Sequence, residues 1–310
     1  MNFEHIGASK ALSAAPAYPR TRLALRALLS LLLGGAAVLG AIALVRQGLV
    51  PLVDALFHPA PATLSFIRRV GIFVGALAAY ACYVRLFERR RASELRLQPL
   101  CLFLGGASGA LMVGLPIAVL FSVGAYQAVL FHGASSALWG VAALIIIAAM
   151  LEELVYRALL FRVMERAIGT GVALVVQALL FALMHLENIV HGSAADVVTM
   201  LGTVSVLGVV WATLFVLTRN LWVGIAHHAA WNFTILLSGV PLSGIEDWRG
   251  LAPLESRYAG PAWLTGGQFG PESSLLVIAT TTLAMAWLLY VARRRGAFHT
   301  PVPGSTGNRP

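Results

Sequence analysis

The chain has 310 residues, of which 59% are hydrophobic and 11% charged, with a mean hydropathy of +0.82. Soluble domains carry roughly 25% charged residues, so this composition excludes a soluble protein and predicts an all-α, polytopic transmembrane helix bundle. The net charge of +9 comes almost wholly from arginines between apolar runs, Lys10 being the only lysine, which is a pattern of membrane topology and not of nucleic-acid binding.

Residues 1–22 are small, polar and Pro-bearing and predict a disordered cytoplasmic tail. Arg20, Arg22 and Arg26 precede an uncharged run from Ala27 to Val45. That run exceeds the roughly 7 to 15 apolar residues of a signal peptide and is expected to stay as a membrane helix. A crossing needs roughly 20 apolar residues, and about eight segments qualify: 24–45, 63–84, 99–122, 135–160, 171–188, 196–217, 221–239 and 273–292. Arg68 and Arg69 interrupt the second near its start, where snorkelling to the interface accommodates them. Cys82 and Cys101 lie in or beside separate spans without CxxC spacing and read as buried packing residues. The connection Pro241 to Glu272 is rich in Gly, Pro and aromatics; it either caps the bundle or re-enters the membrane. Residues 23–295 thus form the transmembrane domain, and 296–310 a second disordered tail.

With eight spans, Arg85, Arg89, Arg90, Arg91, Arg96, Arg162, Arg166, Arg219 and Arg293 to Arg295 fall on the same side as the N-terminal tail. Positive charge inside then makes both termini cytoplasmic. The arginine-rich, lysine-poor composition fits a GC-rich bacterial genome, and hence an integral protein of the bacterial inner membrane.

Three spans carry polar groups where lipid tolerates few. They are Glu152, Glu153 and Arg157 on the fourth, Gln177 and His185 on the fifth, and His227, His228 and Asn232 on the seventh. An ionised side chain at the bilayer centre costs roughly 2.5 to 3.5 kcal/mol on insertion scales, so such groups face protein or a polar cavity. At a rise of about 1.5 Å per residue from the arginine-rich edge, Glu152, His185, His228 and Asn232 lie about 15, 24, 14 and 20 Å deep. One chamber shared by three helices is therefore predicted. Glu153 and Arg157 are four apart and pair along their own helix, which leaves Glu152, rotated by about 100°, to face elsewhere. His228 and Asn232, also four apart, present two donors suited to an oxyanion. Gln177, Phe181 and His185 form a further row.

Plainer readings exist for each of these residues. Glu153 with Arg157 reads as a structural ion pair, and His185 alone reads as an interhelical hydrogen bonder. His227 is expected to face away, and Glu187 and His191 to be solvated. Trp139, Trp222 and Trp287 read as interface anchors or packing.

The order and spacing of three motifs, EELVYR at 152–157 (EExxxR), FALMH at 181–185 (FxxxH) and HAAWN at 228–232 (HxxxN), resemble the CPBP intramembrane proteases. That family includes the type II CAAX prenyl endopeptidases and bacterial proteins grouped as bacteriocin self-immunity or abortive-infection proteins. The similarity covers residues 133–239. It implies peptide-bond hydrolysis in the membrane, with Glu152 as general base, His185 as its partner in activating water, and His228 and Asn232 stabilising the oxyanion. Glu153, Arg157 and Phe181 are then supporting residues.

The residue types also permit a zinc reading, in which Glu152, His185 and His228 supply a carboxylate and two imidazoles. No HExxH occurs on any span, and the expectation favoured is a glutamate mechanism without a cofactor. The implied partners are the lipid bilayer and a membrane-embedded or lipidated polypeptide substrate, with prenylated CAAX proteins not expected in a bacterium. Two other classes stay open: a proton- or ion-coupled carrier with Glu152, His185 and His228 as a relay, and a non-catalytic immunity factor.

Overall fold

The computed structural model describes residues 20–188 and 194–300. Residues 1–19 and 301–310 of the two expected tails lie outside these, as does His191.

Helix α1 (Arg20–Ala43) runs through a π-helical stretch (Leu44–Leu49) into α2 (Val50–Phe57), so the first span is longer than its apolar run suggested. Helices α3 (Pro61–Leu86) and α4 (Pro99–Ser122) each begin on a proline, whose missing N–H costs nothing in a first turn. Helix α5 (Ser136–Glu153) is capped by Ser135, whose side chain accepts from the Leu138 N–H, and it continues through a π-helical stretch (Leu154–Phe161) into α6 (Arg162–Ile168). Gly169, at φ +85°, then reverses the chain into α7 (Thr170–Leu183), which tightens into a 3-10 turn (Met184–Asn188). Helices α8 (Ala194–Thr218), α9 (Leu221–Leu237) and α11 (Leu275–Arg294) follow, with the short α10 (Ala262–Thr265) before the last.

Among the described residues, seven helical stretches are long and apolar enough to cross a membrane. The polytopic helical bundle is therefore plain, and the chain is an integral, multi-pass membrane protein. The predicted seventh segment, 221–239, is the helix that differs. At 17 residues it is about 25 Å long, and it is packed by α4, α5 and α8. Its closest neighbour is α4, where Gly105 and Gly109 leave a seam without side chains. A Cβ at Gly109 would lie 2.1 Å from the His227 carbonyl oxygen, and one at Gly105 2.5 Å from that of Val223. Small residues four apart permit this backbone-on-backbone approach, which sets the position of α9.

Two features depart from the sequence reading. A two-stranded antiparallel sheet pairs β1 (Tyr126–Phe131) with β2 (Leu254–Tyr258), with a bulge between Ala128 and Leu130. Because β2 belongs to the 241–272 connection, that connection folds as a cap of short turns. The cap is tied down by Ser256 donating to Ser238 O (2.6 Å), Arg249 to Gly239 O (3.0 Å) and Tyr126 to Thr265 O (2.6 Å). Cys82 is exposed on α3 rather than buried, and Cys101 donates to Gln98 Oε1. In a membrane protein the lipid-facing surface is as apolar as the core, so hydrophobic context does not imply burial.

The end of the bundle away from the cap is an ionic cluster. Arg162 grips Glu88 with two hydrogen bonds (2.6 and 2.7 Å), and Arg90 bridges Glu88 (2.7 Å) and Glu94 (2.6 and 2.8 Å). The Tyr80 hydroxyl also reaches Glu94. Glu165 takes both Arg219 and the Thr170 hydroxyl (2.7 Å). The Ala158 carbonyl, in the π-helical stretch, accepts from Arg162 (2.7 Å) and Tyr80 (3.0 Å), so side chains serve a wide turn that an ordinary helix would close with backbone. Residues 296–300 reach the same end, where the His299 N–H and carbonyl both bond to Thr170.

Candidate active site

Four of the polar groups predicted at depth meet between the cap and helices α5, α7, α8 and α9. They line a cavity of about 90 Å³ together with Phe181, Trp211, Ser243 and Glu272. Glu152, His185, His228 and Asn232 all lie on its wall.

Glu152 and Glu153 diverge as helical rotation dictates. Glu153 is fully buried, with Oε1 2.9 Å from Arg157 Nη1 and 3.2 Å from His228 Nδ1. Its other oxygen lies against α9 at Gly224, where a Cβ would stand 2.7 Å away. The side chain of Glu152 keeps 33% of its surface exposed, toward the cavity. Its Oε2 has no hydrogen-bond partner and lies 3.7 Å from His228 Nε2. One carboxylate is thus immobilised and its neighbour is left open.

Arg157 is fully buried, and its charge is met by rings as well as by Glu153. Its guanidinium carbon lies 4.5 Å from the Phe181 ring centre, 5.3 Å from Trp211 and 5.9 Å from Tyr156. Desolvated cation–π contacts of this kind contribute up to about 2 kcal/mol. Nη2 also donates to Gly208 O on α8 at 3.4 Å.

The three histidines have different hydrogen-bond roles. His185 Nδ1 is 2.9 Å from the Phe181 carbonyl; a carbonyl only accepts, so Nδ1 carries hydrogen, and in the neutral ring Nε2 is the acceptor. His228 directs Nδ1 to Glu153 and Nε2 to Glu152. His227 turns away from the cavity, as expected, and its Nδ1 accepts from Trp211 Nε1 at 2.9 Å. The same indole stacks on His228, with ring centres 3.8 Å apart and planes at 17°. Adjacent histidines therefore hold one tryptophan, one by hydrogen bond and one by stacking.

Gln177 does not join Phe181 and His185 at the cavity. It is fully buried and donates to Gly208 O (2.9 Å) and Leu174 O (3.1 Å), so its polarity serves helix packing. Four contributors had no signal in the sequence. Trp211 and Gly208 are apolar or small residues in an apolar span, and Ser243 and Glu272 lie in an irregular connection. Among the described residues, no three His, Cys, Asp or Glu side chains gather as a metal-holding group. Glu187 is exposed, as are Trp139 and Trp287, whereas Trp222 is half-buried and donates to Leu95 O.

Residues 134–234 match the family described as Type II CAAX prenyl endopeptidase Rce1-like. No curated protein and no solved structure matches the chain. The matched stretch runs from the start of α5 into α9 and holds Glu152, His185, His228 and Asn232, while α1 to α4, the cap and α11 lie outside it. Through residues 134–234 the chain is similar to the Rce1-like type II CAAX prenyl endopeptidase family, a similarity consistent with the CPBP motifs it carries.

Proposed function

We propose that the protein is an intramembrane endopeptidase that cuts a membrane-embedded or lipidated polypeptide with a glutamate-activated water. The observation that supports it most is the asymmetry of the carboxylate pair. Glu153 is buried and held by Arg157 and His228, while Glu152, a third of its side chain exposed, faces the cavity. A water between Glu152 and His185 gives its proton to Glu152 as its oxygen attacks the scissile carbonyl carbon. Asn232 donates to the oxyanion, with His228 beside it. When the carbon–nitrogen bond breaks, Glu152 returns the proton to the leaving amine, so the products are a carboxylic acid and a free amine. Glu153, Arg157 and Phe181 hold the geometry.

Purified protein in liposomes, offered a mixture of single-span and lipidated peptides, is expected to yield cleaved products identifiable by mass spectrometry. Glu152→Gln and His185→Ala should each abolish them. Turnover that survives both substitutions ends the proposal. Comparison of membrane peptides from cells with the native protein and with Glu152→Gln names the physiological substrate.

A further inference from the structure

We propose that Glu272 is a positioning residue that clasps the cap onto α9, and so governs both entry to the chamber and the alignment of Asn232. The second half of this statement rests on the protease reading; the first does not.

Glu272 lies just before α11, well outside the family-matched stretch, yet it lines the same cavity as Glu152 and is only 2% exposed. Both of its oxygens are engaged. Oε1 accepts from Trp231 Nε1 at 3.1 Å and Oε2 from the Ser243 hydroxyl at 2.6 Å. One side chain therefore joins three segments of the chain: the turn before α11, the start of the cap, and α9. Trp231 has no exposed surface and immediately precedes Asn232. Fixing its indole fixes the rotation of α9 by which the next residue, about 100° further round, faces the chamber.

The cap end of the clasp is under local constraint. Ser243 has φ +49°, a left-handed conformation that side-chain-bearing residues rarely hold without a compensating contact. Beside it, Gly244 approaches the turn that carries His185 so closely that a Cβ would lie 2.7 Å from Asn188 O. Among the described residues, Leu242, Ser243, Ile245 and Trp248 form the non-helical wall of the cavity. A volume of about 90 Å³ holds a few waters, whereas ligand pockets run from about 300 Å³ upward. A polypeptide enters only if a wall moves, and the wall with no helix behind it is the cap. Burial pushes the Glu272 carboxyl above the ordinary range, while the Ser243 and Trp231 donors, with His185 and His228 nearby, pull it back. A carboxyl kept in so dry a place is costly unless it performs such a bridging task.

The test separates cap opening from proteolysis. In a background with Cys82 and Cys101 replaced by alanine, Leu242→Cys, at a cap position 3% exposed, is labelled with a water-soluble maleimide. Losing both hydrogen bonds of the clasp should speed labelling by about tenfold in Glu272→Ala and, through one half of the clasp, by a smaller factor in Ser243→Ala. Glu272→Gln keeps an acceptor for Trp231 and a group able to bond Ser243, and should return labelling close to the parent rate. Proteolysis of a model peptide should follow the same order, with kcat reduced in Glu272→Ala and largely restored in Glu272→Gln. Equal labelling of the parent, Glu272→Ala and Ser243→Ala overturns the clasp, and if Glu272→Ala does not fold, Ser243→Ala decides. A Glu272→Gln variant with accelerated labelling, or as inactive as Glu272→Ala, also overturns it. The predicted labelling order with no cleavage by any variant retains the clasp and removes the protease reading.

Discussion

At the α6 end of the molecule Glu88, Glu94 and Glu165 each accept several hydrogen bonds from arginine or hydroxyl donors, whereas beside the chamber Glu152 and Glu153 each keep an oxygen with no donor, and Glu152 opens to the cavity. The two regions use the same residue types and are joined by the length of α7, which begins at Thr170 in one and runs into the turn that carries His185 in the other. Saturated acids have little left to offer a substrate, and their bonds go into holding helices together. An unsaturated acid in a small, half-closed cavity is costly as structure and available for chemistry. Paired carboxylates and arginines in a membrane domain therefore mark a site only when the pairing is incomplete.

This contrast can be broken from either side. The largest effect is expected from exchanging roles: Glu152→Gln should lower turnover by about 10²- to 10⁴-fold with an unchanged thermal midpoint in detergent. Arg162→Ala should do the reverse, destabilising the fold by about 1.5 to 3 kcal/mol because Glu88 loses two charge-assisted hydrogen bonds and keeps only its Arg90 partner among the strong ones, with turnover per folded molecule retained. A loss of turnover in folded Arg162→Ala would merge the two regions. Next is Asn232→Ala, for which kcat should fall by about 10²- to 10³-fold with little change in KM; a pure KM effect would move Asn232 from the oxyanion to substrate binding. Gly109→Ala should cost about 1 to 3 kcal/mol by overpacking and reduce turnover as well, since the added carbon pushes on the backbone of His227. Destabilisation with full activity would show that α9 shifts without disturbing His228.

The smallest effect is one of pH. Burial raises the Glu88 carboxyl, but the hydrogen bonds and charge of Arg162, then those of Arg90, outweigh it and hold the group at about 2 against an ordinary 4.5. A value lowered by folding contributes stability that is fully present above the unfolded value and is lost as pH falls through the folded one. The thermal midpoint should therefore decline from below about 4.5 toward 2, and Glu88→Gln should flatten that limb. Parallel curves would remove Glu88 as its source.

Much of this was legible because charge is conspicuous among apolar residues. Glu152, Glu153, Arg157, His185, His228 and Asn232 stand out on their spans, and four-residue spacing is enough to pair Glu153 with Arg157. The same conspicuousness misled at Gln177, since a buried amide bonding a neighbouring helix looks like one facing a cavity. Trp211 and Gly208 could not be read at all, because an aromatic and a glycine in an apolar helix are unremarked until a partner is known. The π-helical stretch after Glu153 and the fold of the cap were equally hidden, the first because its residues are ordinary helix formers, the second because Gly and Pro mark turns without saying where they lead. Cys82 fell to a symmetry of the membrane, in which outward and inward faces share one composition.

The seam of Gly105 and Gly109 bears on how the domain could be moved or minimised. Helix α4 contributes no side chain to the cavity wall and lies outside residues 134–234, yet α9 rests on its bare backbone. A fragment cut at the family boundary would keep every motif residue and lose the surface that registers two of them. Transplanting the motifs into another bundle therefore requires carrying a glycine-faced neighbour along with them.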